Sequence, residues 1–157
     1  MRNIVLAAFC LLTTIAAGPA GATELPGVKS EHGPHHVSVF IGNTELVDSD
    51  HSGFTLGIDY EYRVSEFLGL GFVGERAFGG VDATTLLLVA DLHLWRGLIA
   101  QVGPGIEIVD SETHTAARFG LLYEFELENG ITVSPQLHYD VSHEDGIVFG
   151  LAVGRAF

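Results

Sequence analysis

The chain has 157 residues, with 7 Lys+Arg against 20 Asp+Glu and 8 His, a formal net charge of −13 at pH 7 and a mean hydropathy of +0.34. So acidic a chain does not bind nucleic acid independently of sequence, because that needs cationic side chains on phosphates. With 47% apolar residues and 20 Gly spread along its length, it is neither disordered nor a helical bundle.

Residues 1–22 open with Arg2, run through an apolar stretch at 4–17 and end on Ala20-Gly21-Ala22. This pattern predicts a secretory signal peptide cleaved after Ala22, since the stretch falls short of the roughly 20 residues a spanning helix needs. The one cysteine, Cys10, lies in that segment, so the mature chain has none to form disulfides. Residues 23–34 form a polar periplasmic lead-in that brings His32 close to His35 and His36.

From residue 35 onward the signal is alternation with period 2, the mark of strands with two chemically different faces. Eight runs are predicted: 36–43, 53–64, 68–77, 83–95, 97–108, 115–127, 131–141 and 147–157. In the second, Phe54, Leu56, Ile58, Tyr60 and Tyr62 alternate with Thr55, Gly57, Asp59, Glu61 and Arg63; in the sixth, Phe119, Leu121, Tyr123 and Phe125 alternate with Arg118, Gly120, Glu124 and Glu126. Runs near ten residues match strands that cross an outer membrane. The links near 65–67, 96–97 and 128–130 read as tight. Those near 44–52, 78–82, 109–114 and 142–146 read as longer loops rich in acid and His. With the amino terminus in the periplasm, every tight link falls inside and every longer one outside. Phe54, Phe78, Phe119, Tyr139 and Phe149 would form an outer aromatic girdle, and Tyr62, Phe67, Trp95, Phe125 and Phe157 an inner one. Pro104 and Pro135 fall inside runs, where a closed barrel has no free edge to excuse a missing donor. Arg155 takes a lipid-facing parity close to the periplasmic end.

On this alternation, loop sorting, leader and terminal Phe157, the chain resembles the small eight-stranded outer-membrane β-barrel family, the group of the opacity proteins, OmpX and the OmpA transmembrane domain. The resemblance implies an all-β, eight-stranded antiparallel transmembrane up-and-down barrel over 35–157, in the outer membrane of a Gram-negative bacterium. It further implies a monomer surrounded by membrane lipid and lipopolysaccharide, inserted by the outer-membrane assembly machinery through the strand ending in Phe157.

The inward-facing set contains Asp59, Glu61, Arg63, Glu75, Asp91, His93, Gln101, Glu107, Arg118, Glu124, Glu126, Gln136, His138 and Asp140. A barrel of eight strands is filled by side chains, so these residues predict a hydrogen-bonded plug. Its carboxylates outnumber its arginines, and the excess calls for protons, water or a bound cation. In the loops, Asp50, His51, Asp110, Glu112, His114, His143, Glu144 and Asp145 offer oxygen and imidazole ligands for a divalent cation. No cofactor is otherwise expected. A lipid A hydrolase would need a Ser beside an oriented His; His138, Asp140, Ser142 and His143 are the best cluster, but the His-x-Ser pair of the lipid A deacylases is absent, since Asp140 stands two after His138. The expected role is therefore non-enzymatic: structural, adhesive or envelope-protecting. The rivals are a cation-responsive surface protein, a lipid A-modifying barrel and a soluble periplasmic β-barrel holding an apolar ligand.

Overall fold

The computed structural model describes residues 33–157, so the leader and most of the lead-in lie outside the described residues. Eight long strands follow one another: β1 (His35–Leu46), β2 (Ser52–Arg63), β3 (Leu68–Gly79), β4 (Ala83–Trp95), β5 (Leu98–Val109), β6 (Glu112–Tyr123, resuming at Phe125–Glu126), β7 (Ile131–Val141) and β8 (Gly146–Ala156). Each pairs antiparallel with the next. β8 returns to β1, from His36↔Ala156 to Leu46↔Gly146, and closes the cylinder. Strands of 11 to 13 residues, at the tilt of about 40° usual for such barrels, rise roughly 30 Å, the thickness of a bilayer's hydrocarbon core.

The apolar parity faces outward along every strand, where Ile58, Leu88, Leu121, Leu137, Leu151 and Val153 are exposed. In water this wall would be unstable; against lipid it is the favoured surface. Among the described residues no helix is long and apolar enough to cross a membrane.

The connections correct the expected loop asymmetry. β1, β3 and β5 continue to Leu46, Gly79 and Val109, and β6 begins at Glu112. The outer links shrink to 47–51, 80–82, 110–111 and 142–145, no longer as a class than the inner links 64–67, 96–97 and 127–130. Asp110 (φ 49°) and Ser111 (φ 70°) make a two-residue turn with both φ positive, as do Arg96 (φ 44°) and Gly97 (φ 87°) at the other end; that turn follows the twist of the strands it joins.

Both prolines sit at lapses in the ladder. Between β4 and β5 the pairing jumps from Leu87↔Gly105 to Ala90↔Val102, leaving Gly103 and Pro104 unpaired on that side, while Pro104 stays in register with Ala117 on the other. Between β6 and β7 it jumps from Leu122↔Gln136 to Phe125↔Val133 across Pro135, which pairs with Leu151 of β8. Each proline thus turns its missing donor toward a gap that it creates.

Candidate functional site

The inward parity of the strands delivers polar side chains to the lumen in layers. Midway down, Arg118 of β6 is 1% exposed and holds two carboxylates at once. Its Nε and Nη2 donate to the Asp140 oxygens at 2.7 and 2.6 Å, and its Nη1 and Nη2 donate to the Glu75 oxygens at 2.7 and 2.6 Å. The planar guanidinium suits this bidentate grip on both sides. Register explains one contact, because Arg118 lies opposite Asp140; Glu75 reaches it across the lumen from β3.

Toward the end that carries both termini, the one expected to face the periplasm, the polar groups are bonded less symmetrically. Gln101 Nε2 donates to Asp91 (2.9 Å) and to Asp59 (3.1 Å), so two carboxylates share one amide. Glu61 Oε1 meets His93 Nε2 at 2.8 Å and accepts from Arg63 Nε at 3.1 Å. His36 Nε2 contacts the Thr132 hydroxyl at 2.8 Å and lies 3.6 Å from Glu124. His138 Nε2 bonds Gln136 Oε1 at 3.0 Å, which fixes the proton there. Its Nδ1 is buried without a hydrogen-bond partner and faces Gly120. A Cβ at Gly120 would stand 2.0 Å from that nitrogen, so Gly is what admits the ring.

Sequence reading missed the apolar share of the lumen. Phe40 is buried with Val148 and Ala152, and a second group joins Val73, Leu87, Val89 and Ala116. At the outer mouth Val81, from the β3–β4 turn, packs on Ala77 and Ala83 against Leu46 and Val109. Two voids in the lumen, one lined by Thr44, Thr55 and Glu107 and one by Asp59, Asp91 and Gln101, measure about 10 and 20 Å³, room for about one water each.

The fourteen residues of the predicted plug keep the inward parity, and thirteen of them are buried or half-buried. Glu126, opposite the buried Thr132, is the one the structure leaves exposed, at the rim of the barrel. Of the candidate cation ligands, the structure joins some and separates others. His114 and His143 stack, with ring centroids 4.6 Å apart and 17° between planes, and Glu112 lies 4.0 Å from His114 Nε2. His51 instead bonds Ser49 at 3.2 Å, and Asp50 and Asp110 are exposed in their turns. Asp145 accepts from the Tyr139 hydroxyl at 2.7 Å and from the Ser142 amide at 3.3 Å; Glu144 is exposed beside it. Among the described residues no three His, Cys, Asp or Glu side chains converge as a metal cage. In the cluster singled out for a hydrolase, Ser142 Oγ donates to Glu107 at 2.6 Å and His138 Nε2 bonds Gln136 at 3.0 Å.

On the outer wall Arg155 is exposed near the periplasmic end, as its parity required. A second cation there, Arg76, was not foreseen, although its place next to the inward Glu75 already implied it. It hydrogen-bonds Thr84 at 2.9 Å, ion-pairs Asp82 and lies 5.9 Å over the Phe78 ring. At the periplasmic end His35 stacks on Phe157 at 5.6 Å and bonds the Tyr60 hydroxyl at 2.8 Å, within the inner aromatic girdle.

No family model and no curated protein sequence matches the chain. Solved structures do. A de novo designed transmembrane β-barrel superposes with a TM-score of 0.52 at 16% identity, covering 83% of this chain and 98% of that one. Neisserial surface protein A gives 0.51 at 9% identity, covering 78% and 96%. Ail, the attachment invasion locus protein of Yersinia pestis, gives 0.50 at 15% identity, covering 80% and 99%. The protein has the fold of the small eight-stranded outer-membrane barrels: a closed, antiparallel, transmembrane β-barrel.

Proposed function

We propose that this is a non-enzymatic barrel of the Gram-negative outer membrane, exported with removal of residues 1–22, that serves envelope integrity as a monomer set in lipid and lipopolysaccharide. The observation that carries the reading is the filled lumen. The bridged Glu75–Arg118–Asp140 layer, the Phe40 cluster and the Val81 cluster occupy successive levels of the lumen, and the two voids between them measure about 10 and 20 Å³, which supports neither a solute path nor a pocket for an apolar ligand. Outer connections of two to five residues leave little chain above the membrane, which favours a structural role over adhesion by long loops. The short turns also favour membrane over a soluble ligand carrier, since the exposed surface is the apolar wall itself.

Two measurements test this. Outer-membrane fractions run cold and boiled in SDS should show the shift of a closed barrel, and the purified protein in planar bilayers should pass no stepwise current. Cells lacking it should take up an apolar fluorescent dye faster, with the wild-type gene restoring the barrier. Stepwise conductance, or recovery from the soluble periplasm without a heat shift, would sink the reading.

A further inference from the structure

The outer mouth brings together residues that are far apart in sequence and that the lumenal plug does not use. His114 stands third in β6 on the inward parity, opposite Glu107 of β5. The β7–β8 link is anchored beside it, because Ser142 Oγ donates to Glu107 at 2.6 Å. That anchor places His143 against His114 as a near-parallel pair with centroids 4.6 Å apart. We propose that His114 and His143 form a two-imidazole site for a borderline transition-metal cation such as Zn²⁺, Ni²⁺ or Cu²⁺.

Three observations support it. First, two imidazoles from different elements are held side by side, and imidazole suits these ions rather than Ca²⁺ or Mg²⁺. Two nitrogens binding one ion at about 2.0–2.1 Å stand roughly 3.3 Å apart. In the stack the lone pairs lie in nearly parallel planes, so to share an ion the exposed His143 ring has to turn about its side-chain torsions until its nitrogen points at the ion held by His114. Second, the corner is strongly negative. Glu107 lies opposite His114 in the ladder, Glu112 is 4.0 Å from His114 Nε2 and 81% exposed, and Glu144 and Asp145 follow His143 in its link. Third, no arginine competes there. Among the described residues Arg76 is the single Lys or Arg at the outer end, and it is engaged by Asp82 and Thr84. Because no three ligands converge, water completes the ion's shell, and the site is open and exchangeable rather than a closed structural one. The inference rests on the barrel geometry and is independent of the envelope role.

The test is metal titration of the whole protein refolded in detergent, with Zn²⁺ by calorimetry and Cu²⁺ by electron paramagnetic resonance. The wild type should take up one more equivalent than the H114A/H143A variant, and the Cu²⁺ spectrum of that equivalent should carry coupling to two imidazole nitrogens. Either single variant should weaken the equivalent by more than about tenfold. H51A should keep it, and Ca²⁺ should show no difference between wild type and variant. Should the double variant fail to fold, His143→Ala alone carries the test, since that side chain is exposed in a link. An unchanged affinity for that equivalent in H143A, or loss of the equivalent in H51A instead, overturns the proposal.

Discussion

Arg118 and His114 stand four residues apart on the same face of β6, yet their surroundings follow opposite rules. Arg118 is sealed in the lumen with both of its carboxylate partners already in contact. His114 lies at the mouth, a quarter of its side chain exposed, beside carboxylates that reach into water. Two pleats of strand separate a site where every charge has to be paired from one where charge can await an ion. The lesson concerns depth: an unpaired ion costs several kcal/mol in a dry interior and almost nothing at a wet rim.

The largest expected effect therefore comes from the deep layer. Arg118→Met strands Glu75 and Asp140 in the lumen and should cost about 3–5 kcal/mol, read from the urea unfolding midpoint of the refolded barrel. Replacing all three partners with apolar residues of similar size should recover most of that loss. A small cost for Arg118→Met alone would mean that water reaches the layer, and the contrast with the mouth would collapse. Next in size is Gly120→Ala. Its methyl would enter the space of the His138 ring, so about 1–3 kcal/mol should be lost. Combined with His138→Ala the two costs should fall short of additivity by at least about 0.5 kcal/mol, whereas simple additivity would show that the ring moves aside freely.

Sequence alternation was sufficient to place Glu75, Arg118 and Asp140 on the inside, because parity is a property of each strand alone. Which carboxylate Arg118 would grip was not legible, since Glu75 stands 43 positions away and barrel closure brings them together. The outer links were misread for a physical reason. Where strands rise past the lipid, both faces meet water, so polar residues such as Glu45, Glu112 and Thr113 break the alternation while the backbone ladder continues. Phe40 was hidden by the reverse effect: it points inward between the outward Val39 and Ile41, and an unbroken apolar run carries no parity. The His114–His143 contact combines both difficulties, requiring the turn positions and the closure before the two rings meet.

Smaller changes at the outer end sharpen the contrast further. Ser111 pays for a positive φ of 70° in its two-residue turn, and Ser111→Gly should stabilise the barrel by about 0.5–1 kcal/mol, measured by the same unfolding curves. Arg76 gives the smallest effect and the sharpest comparison with Arg118. Both arginines are ion-paired, but Arg76 faces outward, with its side chain 40% exposed and its partner Asp82 63% exposed. Near the interface a lipid-facing charge costs about 0–1 kcal/mol, and a solvated pair returns about as little. Arg76→Leu should therefore shift stability by less than about 1 kcal/mol. A loss of the size expected for Arg118→Met would show that the Arg76 bonds to Thr84 and Asp82 fasten the β3–β4 turn, and with it the Val81 cluster, so that exposure alone would no longer rank the charges of this barrel.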